Sequence, residues 1–201
     1  MISKARAMEK KDFKFDKRAA KYDDKFEGRL SRVFYQLVYD NVSLPGNAEV
    51  LDVGCGTGTV LKTLSETHGI VGHGIDVEPK MLEVARKKCP QMDIRECSCD
   101  STPFADSTFD AVITCMAYHH FPDKEAFARE ALRILKPGGT LYVADPKFPK
   151  IIRKIVNRLA RRFNGEFFSS DELVERFKSV GFVPVTVKKR SYGQIVVMRK
   201  G

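Results

Sequence analysis

Long apolar runs are missing from this chain of 201 residues: no window approaches the roughly 18 uninterrupted apolar residues that a membrane-spanning helix requires. The opening run "SKARAMEKKDFKFDKR" also lacks the roughly 7 to 15 apolar residues of a signal peptide. No internal repeat and no low-complexity tract is present, which argues against repeat arrays and disordered linkers. The cysteines (Cys55, Cys89, Cys97, Cys99, Cys115) are odd in number and contain no CxxC pair. A disulfide framework is therefore not expected, and the expected compartment is reducing and cytoplasmic. Cys97 and Cys99 have the wrong spacing for a metal pair and find no matching second pair, so no metal site is expected.

The net charge of +9 resembles a nucleic-acid signal until it is divided along the chain. Residues 1–30 carry ten basic and six acidic groups, 31–146 eleven and sixteen, 147–164 seven and none, and 165–201 seven and four. The centre is acidic, and the positive excess lies in its flanks.

From Glu49 onward short apolar runs alternate with amphipathic stretches, the pattern of a parallel sheet covered by helices on both faces. Strands are expected over 49–54, 68–77, 91–97, 109–115, 139–145, 182–190 and 193–200, the last two joined by a short turn and antiparallel. Helices are expected at "TVLKTLSETH", "PKMLEVARKKC", "DKEAFAREALRIL" and "SSDELVERFKSV". In the last, Ser169 or Ser170 can cap and Glu172 can answer from the third position. Residues 10–40 read as one or two further helices.

The stretch "EVLDVGCGTGTVL" runs from a strand into Gly54, Gly56 and Gly58 and then into a helix. Bare backbone there lets a ligand approach closely, and the helix N-terminus offers free N–H groups. The dinucleotide fingerprint needs its last glycine at position 59, which is Thr59. Asp52 beneath the loop would also repel a pyrophosphate, but it suits a cationic ligand.

Taken together, "VLDVGCGTGTVL", "GIDVEPKMLEVAR", "PFADSTFDAVIT" and "AYHHFPDKEAFAREALRILKPGGTLYVADP" resemble the class I S-adenosylmethionine-dependent methyltransferases, within them the small-molecule group of ubiquinone and menaquinone biosynthesis enzymes. The similarity covers about residues 15–200. It implies an α/β fold, a Rossmann-like doubly wound seven-stranded sheet in the order 3-2-1-4-5-7-6 with strand 7 antiparallel. It also implies one domain over 1–201: a helical lid (1–45), a cofactor-binding core (46–146), a basic amphipathic cap (147–168), and a C-terminal helix with a β-hairpin (169–201).

Carried onto this chain, the resemblance implies that S-adenosylmethionine is the cofactor. Asp52, Gly54, Cys55, Gly56 and Gly58 would face its methionine half, and Asp76 would accept both ribose hydroxyls. Met81, with Val77 beside it, would pack on adenine unless Met81 is simply core. The third motif departs from the family. Counting back from Pro103, the expected acid falls on Ser98, followed by Cys99, and Asp100 matches only across a shorter loop. Either Ser98 with the Cys99 N–H, or Asp100, would read the adenine edge. Cys115, at a strand end, would lie near the methionine part. Tyr22 would serve the lid or merely pack.

Tyr118, His119 and His120 follow the fourth strand, on the edge where open α/β sheets bind ligands. His119 and Tyr118 are therefore candidates for substrate contact or general base. The implied reaction is in-line displacement at the sulfonium methyl by an oxygen, nitrogen or carbon nucleophile of a small acceptor, acidic or lipophilic. A cofactor-binding regulator without catalysis and a nicotinamide-dependent oxidoreductase are the competing readings. No Asn-Pro-Pro-Tyr, Asp-Pro-Pro-Tyr or Pro-Cys occurs, so nucleic-acid methylation is not supported.

The stretch "KIIRKIVNRLARRFNG" places Ile151, Ile152, Ile155, Val156, Leu159, Ala160 and Phe163 on one face of a basic helix. That face is expected to pack on the sheet or over the acceptor cleft; a membrane surface contacted through 150–163 is the second reading, and nucleic acid the third.

Overall fold

Val50, Leu51 and Val53 of strand β1 (Glu49–Val53) are all buried, because β1 pairs in parallel with β2 (Val71–Asp76) on one side and β4 (Phe109–Cys115) on the other. A strand held between two parallel neighbours has both faces covered, and so it reads as a continuous apolar run. Asp52 interrupts that run. In this computed structural model, which describes residues 26–163 and 165–201, the seven strands form one sheet in the order β3-β2-β1-β4-β5-β7-β6. The remaining strands are β3 (Asp93–Glu96), β5 (Leu135–Pro146), β6 (Phe182–Arg190) and β7 (Gly193–Lys200). β7 runs antiparallel to both β5 and β6, as expected from the family pattern. Tyr22 and residues 10–25 of the expected N-terminal helices lie outside the described residues.

Each face of the sheet has its own apolar core. On one side Leu51, Val53, Val112, Val143 and Val196 meet Phe127 of α4 (Lys124–Ile134) and Phe177 of α6 (Ser170–Lys178). On the other side Val50, Ile113, Ala144 and Ile195 meet α1 (Phe26–Tyr39), α2 (Thr59–His68) and α3 (Pro79–Lys88) through Phe34, Leu37, Leu61, Leu64 and Leu82.

Element boundaries move for local reasons. β1 stops one residue early, where Gly54 turns to φ 75°. β2 starts at Val71 rather than at 68, because α2 runs through His68 and Gly69 ends it in the left-handed conformation, donating to the Ser65 carbonyl. β5 begins at Leu135, four residues before the expected start, with an irregularity in its register against Phe109 and Ala111.

Helix α5 (Lys150–Ala160) forms where the periodicity places it, but its face is not as expected. None of its residues is buried. Only Arg153, Val156, Asn157 and Ala160 turn partly inward, while Ile151, Ile152, Ile155 and Leu159 are exposed. The reason is the inward partners: Arg153 pairs with Glu172 at 2.8 Å and Asn157 binds the Phe167 backbone, so polar anchors set the rotation of the helix.

α6 opens with a reciprocal cap. The Ser169 hydroxyl accepts from the Glu172 N–H at 3.3 Å, and the Glu172 carboxylate accepts from the Ser169 N–H at 2.8 Å. A Ser169→Ala change is expected to cost about 1 kcal/mol. In urea unfolding it should lower the midpoint with the slope unchanged, and an unchanged midpoint would mean the cap contributes nothing.

Candidate functional site

The carboxyl ends of β1, β2, β4 and β5 converge on one edge of the sheet, where the chain leaves β1 through a tight loop. Gly54, Gly56 and Gly58 all have left-handed φ values (75°, 51° and 76°). The N–H groups of Gly54 and Cys55 both donate to the Ile75 carbonyl, at 2.8 and 3.0 Å. A Cβ on Gly54 would lie 2.4 Å from the Ala117 Cβ, whereas one on Gly56 would meet nothing within 4 Å. Gly54 therefore permits close packing of loop on loop, and Gly56 offers bare backbone to open space.

Two carboxylates lie under this loop with opposite degrees of satisfaction. Asp76 accepts from the Gly56 N–H at 2.8 Å and the Glu78 N–H at 3.0 Å, so it is held in place with acceptor capacity to spare. Burial raises its pKa, and these backbone donors oppose the rise. Asp52 is 1% exposed and its Oδ1 has no hydrogen-bond partner among the described residues. Its pKa is pushed up to about 8, first by burial and then by the like charge of Asp76. A buried acid with one oxygen unsatisfied, beneath bare backbone, suits a cationic group. The ammonium and sulfonium of S-adenosylmethionine are of that kind, so the residues present fit the implied cofactor.

Beside Asp76, Val77 is 68% exposed and offers apolar surface, and Met81 is buried one helical turn on. Ser98 and Asp100 form one hydrogen-bonded turn, the hydroxyl donating to Oδ1 at 2.5 Å. The Cys97 N–H ties the start of this turn to the Asp76 carbonyl at 3.0 Å. The Cys99 thiol points into the core and burial pushes its pKa up to about 12, while the Cys97 sulfur lies 3.3 Å from the Ser98 carbonyl. Cys55 and Cys115 are buried, and their thiols are likewise raised, mainly by burial and then by Asp52. Among the described residues no group of three His, Cys, Asp or Glu side chains could hold a metal ion.

Tyr118 requires a correction. It was a candidate for contact with the acceptor, yet it is completely buried, its ring among Phe121, Phe127, Phe168 and Phe177 at 5.6–6.0 Å. Its hydroxyl has no partner among the described residues, and burial raises its pKa. Tyr118 is core because the short 3-10 turn at Tyr118–His120 sends adjacent side chains in different directions.

His119 is buried as well, but against a polar partner. Its Nδ1 lies 2.7 Å from Asp145 Oδ1 in a nearly dry environment, and its ring stacks on Phe167 at 4.6 Å. Its carbonyl accepts from the Glu166 N–H at 2.8 Å. An ionised Asp145 would accept from Nδ1–H and leave the Nε2 side of the ring for a ligand. Asp145 was missed as a site residue, although it stands at the carboxyl end of β5 as Asp76 does on β2. That shared strand-end position was the available signal.

The description "methyltransferase domain" matches residues 51–143. The chain is 29% identical over 175 residues to the demethylmenaquinone methyltransferase of Tropheryma whipplei, covering 75% of this chain and 73% of that protein. It is 30% identical to the ubiquinone/menaquinone biosynthesis C-methyltransferase of Hahella chejuensis, covering 72% and 61%. Among solved structures, the methyltransferase in complex with the Haloferax volcanii Trm112 activator superposes with a TM-score of 0.80 at 22% identity, covering 92% of this chain and 97% of that one. Geranyl diphosphate C-methyltransferase from Streptomyces coelicolor, solved with S-adenosyl-L-homocysteine, gives 0.75 at 15% identity, covering 86% and 77%.

The raised Asp52 acid has a consequence for stability. The folded chain holds a proton that the unfolded chain releases between pH 3.8 and about 8, so this group's contribution to stability falls as pH rises through that window. Asp52→Asn is expected to flatten that fall and to raise the ligand-free melting midpoint at pH 8 by about 5 °C or more. Identical melting-against-pH curves for the two proteins would show that Asp52 is not held neutral.

Proposed function

We propose that this chain is a class I S-adenosylmethionine-dependent methyltransferase, and that it methylates a small lipophilic or acidic acceptor of quinone type in a reducing cytoplasm. The observation that carries this reading is the buried Asp52, with its Oδ1 unsatisfied among the described residues, under the left-handed glycine loop. The names of the relatives support the acceptor class. The cofactor supplies an activated methyl group on a good leaving group.

Asp52 and the backbone of Gly54, Gly56 and Gly58 hold the cationic methionine half. Asp76 takes the ribose hydroxyls. Val77 and Met81 flank the adenine, and the Ser98–Asp100 turn, with the Cys99 N–H, reads its edge. Chemistry of this kind needs alignment, exclusion of water and at most one base. His119 is the base in this reading, accepting a proton from the acceptor at Nε2. Asp145 is a positioning residue that fixes its tautomer, and Phe167 restrains the ring.

Calorimetric titration with S-adenosylmethionine is expected to show saturable binding that Asp76→Ala abolishes, with no binding of NADH. Binding of NADH instead would overturn the reading. On a demethylated quinone, His119→Ala should lower kcat by about 10²-fold or more with cofactor affinity unchanged. Asp145→Asn should reduce kcat and alter the pH-rate profile. Full activity of both variants would remove the base from the mechanism.

A further inference from the structure

α5 leaves the end of β5 directly after Asp145 and Pro146 and carries its most apolar side chains outward. Ile151, Ile155, Leu159 and Ile152 are 78%, 60%, 56% and 49% exposed. At 100° per residue these four form one stripe roughly 100° wide. Lys154 and Arg158, both exposed, border that stripe and have no ion pair among the described residues. Over residues 147–164 there are seven basic side chains and no acidic one. Of the four inward-turning residues, Val156 and Ala160 are small apolar side chains and the other two are polar anchors: Arg153 on Glu172, and Asn157 on both the N–H and the carbonyl of Phe167, at 2.8 and 2.9 Å.

We propose that α5 docks on an anionic lipid bilayer surface, its aliphatic stripe at the acyl boundary and its cations among the phosphates. An aliphatic stripe bordered by lysine and arginine is the pattern of a helix lying in a membrane interface. A second copy of the chain is a poor occupant, because a two-fold contact through α5 would set this row of cations against itself. Nucleic acid is equally poor, since no aromatic side chain of α5 alternates with the cations.

The docked helix lies beside the candidate site. Asn157 grips Phe167, and Phe167 stacks on His119. Resting on the acceptor reading above, this placement brings a lipophilic acceptor from the bilayer plane to His119.

The test is flotation of the full chain, without cofactor, on phosphatidylcholine vesicles with and without phosphatidylglycerol. Binding is expected with phosphatidylglycerol, weakened by salt and small on phosphatidylcholine alone. Ile155→Ser/Leu159→Ser and Lys154→Ala/Arg158→Ala should each weaken it by about tenfold or more, with thermal midpoints unchanged.

No binding to the anionic vesicles at low salt overturns the proposal, as do double variants that bind like the parent. Loss of thermal stability in the serine variant without vesicle binding would mean that the chain covers this face itself. A dimer that the serine variant dissociates, again without vesicle binding, would assign the face to a second copy. Both results reject the bilayer. Because no cofactor enters this assay, failure of the methyl-transfer reading would show separately, in the calorimetric titration.

Discussion

The edge that carries the candidate site depends on one close approach, Gly54 against Ala117. β1 can turn there only because Gly54 has no side chain: its φ of 75° is strained for other residues, and a Cβ would sit 2.4 Å from that of Ala117. The turn lets two successive N–H groups share the Ile75 carbonyl, which locks the glycine loop to the end of β2. Asp76 follows Ile75 directly and binds the Gly56 N–H. The loop and the strand-end carboxylate are therefore placed by a single backbone arrangement.

Three of the carboxylates at this edge differ in their partners. Asp76 is satisfied by backbone donors and Asp145 by His119, whereas one oxygen of Asp52 has no donor among the described residues. Burying a charge without a partner is costly, so Asp52 holds its proton up to about pH 8 in the ligand-free protein. A fold that keeps such a group in an interior strand gives up stability there. A cation bound at this position would offset that cost.

Much of the fold was legible along the chain. α2 and the strands at 109–115, 182–190 and 193–200 lie where residue pattern puts them, since hydrophobic period and glycine punctuation act over a few residues. The Ser169–Glu172 cap was legible for the same reason. The left-handed loop at Gly54, Gly56 and Gly58 was legible because a strand followed by GxGxG dictates where the backbone is bare, whereas Asp76 was marked by the family resemblance and by its place at a strand end. The exposed stripe of α5 was not, because its periodicity gives an apolar face without saying which way that face turns. Arg153 and Asn157 set the rotation through Glu172 and Phe167, 19 and 10 residues away.

The same division separates the two neighbours Tyr118 and His119. Residue types, spacing and strand-end position placed both near the ligand edge, and chain order alone implied a parallel sheet with a terminal hairpin, because these follow from short-range sterics and burial. Which neighbour packs among aromatic rings, and which finds a carboxylate, depends on Phe168 and Phe177, 50 and 59 residues beyond Tyr118, and on an aspartate 26 residues beyond His119. Contacts of that range form only when the strands are assembled side by side, and no local pattern encodes them.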